Sequence, residues 1–255
     1  MFKLLKYALY DILKSRFAII YTVFLTLIAV SIYQVSDDLS KVSLSLMNIM
    51  IMIVPLIAAV FATTHFYNNL EFIELVLAQP VKRIHVFLSQ LLAVVIMLSL
   101  SIVLGFGVPM LLWGADGSLI MLLAVGMILG AVFAGFAFLA SVLTRDKAKA
   151  IGISLALWIY FSLVYDGLVL YLIYSFADYP LEKATLAMMM LNPVDLGRIL
   201  MLMQLDISAL MGYTGAFFKQ YFSSELGILV SAGTLVIWMA WPGLLASRVF
   251  RKRDF

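Results

Sequence analysis

The chain has 255 residues and no cysteine. That excludes disulfide staples, thiolate metal sites and cysteine nucleophiles. Charge is nearly as scarce. Asp, Glu, Lys and Arg make up 12% of the residues and hydrophobic residues 65%. A soluble domain carries about a quarter charged and about half apolar residues. With a mean hydropathy of +1.10, a water-soluble globule is excluded. Histidine occurs only at His65 and His85, and no HExxH, GxSxG or GxxxxGK pattern is present. The chemistry of zincins, serine hydrolases and P-loop ATPases therefore has no residues to stand on. A single acid lies well inside an apolar run, Asp166, where an aspartyl protease of the membrane needs two. The chain is read as a non-enzyme with no catalytic residues, no cofactor of its own and no nucleic-acid partner.

What is present is six apolar runs, at residues 17–33, 46–64, 86–113, 119–143, 150–176 and 226–250. Each is long enough to cross a hydrocarbon layer or nearly so. Each is expected to be a helix, because lipid offers the backbone no other partner. The first run follows basic residues and could pass for a signal peptide ending at Ala29-Val30-Ser31. It is long for a signal core and five more runs follow, so it reads as a retained anchor.

The cations choose the orientation. Lys3, Lys6, Lys14, Arg16, Lys82, Arg83, Arg145, Lys147, Lys149, Arg248, Arg251, Lys252 and Arg253 fall on one side. Only Lys41, Lys183, Arg198 and Lys219 fall on the other. The positive-inside rule then places both termini in the cytoplasm, as an even number of spans also requires. The fold class expected is an all-α membrane protein. It comprises an amphipathic helix at 1–16 along the inner surface and a six-span domain at 17–255. That domain includes a cytoplasmic elbow at 65–85 and an outward segment at 177–225.

The elbow, "EFIELVLAQPVKRIHVFLSQ" from Glu71, brings charge into a chain that avoids it. Asn68 or Asn69 can cap a short helix, with Glu71 placed to close a capping box on Asn68. Glu71 and Glu74 share one face, Leu70 and Ile73 a neighbouring one, and Pro80 ends the helix. Two readings stand: a knob for a cytoplasmic partner, or a solvated connector. The short basic turn carrying Arg145 and Lys147 is a secondary contact.

The outward segment contains "LNPVDLGRILMLMQ" from Leu191. Asn192 suits a cap and Pro193 a first turn, while Asp195 and Arg198 can pair three apart. Leu196, Ile199, Leu200, Met203, Ile207, Leu210 and Met211 make a stripe for a helix lying on or dipping into the outer leaflet. A turn follows at residues 212–215. The segment is either a surface for an outer partner or a lid on the bundle. Met188, Met189, Met190, Met201 and Met203 offer soft thioethers for Cu(I), but methionine also fills irregular apolar gaps. Asp166 serves either a substrate or hinge role, or a hydrogen bond to a neighbouring helix. Gly126, Gly130 and Ala134 permit close helix packing, and Gly105, Gly107 and Pro109 suggest a bend.

This layout of six spans, an amphipathic N-terminal helix, an acidic helix before "QPVKR" and a large outward loop resembles the permease subunits of type-2 ABC exporters. The pattern Leu191-Asn192-Pro193-x-Asp195-x-x-Arg198 is most similar to the branch that serves copper-site maturation of nitrous oxide reductase. The resemblance implies a homodimer in the inner membrane and a coupling helix at the elbow. It also implies a separate NosF-like ATPase holding ATP and magnesium, and a periplasmic NosD-like copper-handling partner. Other members of the family export lipids, peptides or drugs, which is the alternative. An intramembrane enzyme would need a catalytic constellation that is missing, and a channel more polar residues than the spans carry.

Overall fold

The computed structural model describes residues 2–36, 38–114, 117–176, 182–204 and 225–252. Every regular element among them is helical. In chain order they are α1 (Phe2–Leu13), α2 (Arg16–Val35), α3 (Leu39–Asn68), α4 (Leu70–Leu77), α5 (Arg83–Trp113) and α6 (Gly117–Leu143). Then come α7 (Lys147–Ile159), a π-helical turn (Tyr160–Val164), α8 (Tyr165–Ser175), α9 (Glu182–Met190), α10 (Pro193–Gln204) and α11 (Glu225–Lys252). Six stretches are long and apolar enough to cross a membrane: α2, α3, α5, α6, α7 through α8, and most of α11.

Several helices outrun their apolar runs because polar side chains cap them. The Asp38 carboxylate accepts from the Ser40 amide at 3.0 Å, so α3 starts well before the expected run. Asp146 accepts from the amides of Ala148 and Lys149 at 2.7 and 3.3 Å and opens α7. Ser15 accepts from the Ala18 amide at 3.3 Å and separates α1 from α2.

Helix α6 is the axis of the bundle, with 67% of its most apolar window buried, whereas the fifth span has 17%. Small residues let neighbours approach. A Cβ on Gly126 would lie 2.5 Å from the Met50 sulfur, and one on Gly130 3.5 Å from Val54, so this stripe packs span two on span four within one chain. A Cβ on Gly105 would lie 2.5 Å from the Leu25 Cβ, so this glycine admits span one against span three. The register of that pair is fixed by the Thr22 hydroxyl donating to Ser101 at 3.0 Å and the Tyr33 hydroxyl donating to the Gly114 carbonyl at 3.0 Å. Gly114 ends α5 at φ 107°, a conformation other residues resist.

Two aromatic clusters lock the bundle at different depths. Phe66, Phe87, Phe138 and Phe250 meet at centroid distances of 5.2 to 6.4 Å where the elbow joins the spans. Phe133, Phe136, Phe161 and Trp238 meet at 5.5 to 6.4 Å beside the π turn.

Candidate functional site

At the end of the bundle that carries the basic residues, α4 forms the elbow. Ile73 and Val76 are buried beneath it, and Leu70 packs partly against the core. Leu70 and Ile73 therefore anchor the elbow rather than face out. The outward face carries Glu71 and Glu74, both exposed, and two residues that the spacing argument did not select: Phe72 and Leu75, 42% and 70% exposed. Large apolar groups turned outward beside paired acids make a face suited to a protein groove.

The capping box does not form. Asn69 precedes the helix without a side-chain cap, and its amide nitrogen turns back to the His65 carbonyl at 3.0 Å. Asn68 looks away, because its oxygen accepts from the Lys147 ammonium at 2.9 Å. Beside it, the Tyr67 hydroxyl reaches the Thr144 hydroxyl at 3.0 Å and donates to the Thr144 carbonyl at 3.1 Å. The two elbows expected to be separate contacts are thus tied into one platform. Lys147 is its link, and Arg145 lines a neighbouring groove with Lys252.

Near the other end, α10 is not a helix with one apolar stripe. Val194, Leu196, Ile199, Leu200, Met201 and Leu202 are all buried. The helix is inserted into the bundle against α6, α3 and α11. Gly197 allows this, since a Cβ there would meet Val125 at 2.9 Å and Leu129 at 3.2 Å. The expected turn at 212–215, with Ile207, Leu210 and Met211, and the Met203 side chain lie outside the described residues.

The α9–α10 junction is held by side chains. Asn192 is fully buried. Its oxygen accepts from the Val194 amide at 3.0 Å, capping α10 as expected, and its nitrogen donates to Asp195 at 2.9 Å. The same nitrogen donates to the Phe161 carbonyl at 2.9 Å, inside the π turn. A π turn shifts the backbone ladder, and such turns recur at functional sites. Phe161 lies about 20 Å along the fifth span from either end, so the junction reaches the middle of the layer. Irregular backbone survives at that depth only when satisfied by protein. The Trp238 indole donates to the Met190 carbonyl at 3.1 Å, and the Tyr165 hydroxyl donates to the Met188 carbonyl.

Asp166 is not a lone acid. The Arg198 guanidinium donates to it at 3.0 Å and contacts Asp195 at 3.5 Å. One cation thus faces two carboxylates. Asn192 donates to the second of them, so Asp195 is held by a cation and an amide together. The sequence pointed to Asn192, Pro193, Asp195, Arg198 and Asp166, and the structure joins all but Pro193 into one network. It did not point to Phe161 or Trp238, whose roles depend on a π turn that no apolar pattern encodes. Of the methionines, Met201 is buried in the core and Met188, Met189 and Met190 are half-buried. His65 is buried between Gln90 and Asn69.

A family model described as "ABC-2 family transporter protein" matches residues 3–255. A "Probable ABC transporter permease protein NosY" of Stutzerimonas stutzeri is 27% identical over 233 residues, covering 82% of this chain and 79% of the relative. A protein of the same description from Pseudomonas aeruginosa is 28% identical over 230 residues, with the same shares covered.

Proposed function

The chain belongs to the ABC-2 family of transporter proteins, and from that premise we propose that it is a NosY-like subunit driven by a separate NosF-like ATPase. Two copies form the membrane part of the complex, in the inner membrane with their termini in the cytoplasm. ATP and magnesium are held by the ATPase. The subunit passes ATP-driven movement to a periplasmic NosD-like partner and so supports copper-site maturation of nitrous oxide reductase.

The observation that carries this reading is the platform at the basic end. Glu71, Glu74 and Leu75 face out, Phe72 turns its ring to a cleft beside α1, and Ile73 and Val76 fix the elbow to the spans. Lys147 and Tyr67 tie it to the second elbow. A push on such a face moves span two, span three and the span four–five turn together. At the far end, Arg198 and Asn192 join the inserted helix to the fifth span. Force entering one end can therefore leave at the other through packed helices.

The test is Glu71→Ala with Glu74→Ala. The double variant should remain in the membrane while ATP turnover continues and nitrous oxide reductase emerges poor in copper. Wild-type copper loading in that variant removes the two acids from the mechanism.

A further inference from the structure

Between α1, the elbow and the feet of α3 and α5 lies a half-open cleft of about 380 Å³. Among the described residues no lysine or arginine lines it. Its walls are the rings of Tyr7, Tyr10 and Phe72 and the carboxylate of Asp11. Its floor is His65, with Asn69 on one side and Gln90 on the other.

The floor is arranged so that acceptors remain. His65 Nε2 lies 3.0 Å from Gln90 Oε1, and Asn69 Nδ2 lies 3.1 Å from His65 Nδ1. With the proton on Nε2, the imidazole donates to Gln90 and accepts from Asn69, and both ring nitrogens are satisfied. Asn69 Oδ1 is then left without a donor among the described residues, as is the Asp11 carboxylate. Lys14 stands over the Tyr10 ring, 4.1 Å from its centroid, so that ring already holds one cation. The faces of Tyr7 and Phe72 carry no such partner.

The depth of the cleft can be read from α2. Its 20 residues span about 30 Å, the thickness of the hydrocarbon layer. Phe17, at its start, stacks on Phe61 of α3 with centroids 3.9 Å apart. Phe61 therefore marks the edge of the hydrocarbon. His65 lies one helical turn further, about 6 Å into the headgroup layer. A carboxylate, a free amide oxygen and the aromatic faces of Tyr7 and Phe72 at that depth, away from the Lys14 ammonium, complement an ammonium group.

We propose that this cleft binds the ammonium headgroup of an aminophospholipid, with Asp11 and Asn69 accepting its hydrogens and Tyr7 and Phe72 flanking its charge. The lipid fills the gap between α1 and the elbow and braces α4 against the bundle.

The full-length protein would be placed in nanodiscs of equimolar phosphatidylethanolamine and phosphatidylglycerol, and the lipids retained on release would be weighed by native mass spectrometry. Wild type should retain phosphatidylethanolamine selectively. Asp11→Asn should cut that selectivity about tenfold, the worth of one charge-assisted contact, and Asp11→Glu should restore it. Tyr7→Leu, which leaves the charge in place, should cut it by a smaller factor. Preferential retention of phosphatidylglycerol, or selectivity unchanged in both Asp11→Asn and Tyr7→Leu, overturns the proposal. So does a cysteine at Tyr7 that cross-links to a co-purified protein while Asp11→Asn leaves lipid retention unchanged, because the cleft would then be a protein contact.

Discussion

Replacing Asn192 with leucine keeps the branched shape of a buried side chain, enlarges it and deletes its hydrogen bonds. The structure gives the loss directly. The Val194 amide loses its acceptor, the Phe161 carbonyl loses a donor from outside its helix, and Asp195 loses one of the two groups that favour its ionised form. Each buried group left unsatisfied costs about 1–3 kcal/mol. The Val194 amide alone gives a destabilisation of about 1–3 kcal/mol, or roughly 2–12 °C in the unfolding midpoint for a chain of this size. The assay is thermal unfolding of the detergent-solubilised protein, followed by size-exclusion fluorescence. Asn192→Asp separates the bonds: it keeps the oxygen that caps α10 but loses the donor to Phe161 and sets a carboxylate against Asp195. It should be at least as damaging as leucine at neutral pH. A leucine variant that melts within a degree of wild type would mean that the α9–α10 junction is not held at Phe161, and the inserted position of α10 would be wrong.

Other expectations follow from the same contacts. Arg198→Ala strands Asp166 and Asp195 against one another and should destabilise more than Asp166→Asn, whose partner is about one-third exposed; the swap Asp166→Arg with Arg198→Asp should recover part of the loss in a double-mutant cycle. Gly105→Ala would push against the Leu25 Cβ, which cannot move without its helix, whereas Gly126→Ala meets only the flexible end of Met50. The first should cost about 1–3 kcal/mol and the second clearly less, measured by the same melting assay.

Much of this architecture is written in the apolar runs, because lipid allows a long unbroken run little choice but a helix. The six spans and both elbows were legible for that reason. The ends of the helices were less so, since they depend on single caps such as Asp38 and Asp146 beyond the apolar residues. The inserted helix was harder still. Leu196, Ile199 and Leu200 read as one face, but Val194, Met201 and Leu202 are buried as well, and burial on every side depends on the space that Gly197 opens against α6. Asp166 looked isolated because its partner, Arg198, is 32 residues away and on another element. At the elbow, the spacing found the acids and the anchoring face of Leu70 and Ile73, but not Phe72 and Leu75, the exposed apolar residues beside the acids. A short amphipathic helix has two polar–apolar boundaries, and spacing alone does not tell which apolar residues lie beyond them.

The central claim is that the elbow receives force from a separate ATPase. The absence of cysteine makes a direct measurement simple, because any cysteine introduced is the only one. Single cysteines at Leu75 and at Ile73 would be treated with a short bifunctional cross-linker in native membranes, with and without ATP. The account predicts that Leu75→Cys is joined to an ABC ATPase, that the yield changes when ATP is supplied, and that Ile73→Cys, buried beneath the elbow, gives no adduct. Equal adducts from both positions, or none to any ATPase from Leu75→Cys, would contradict it.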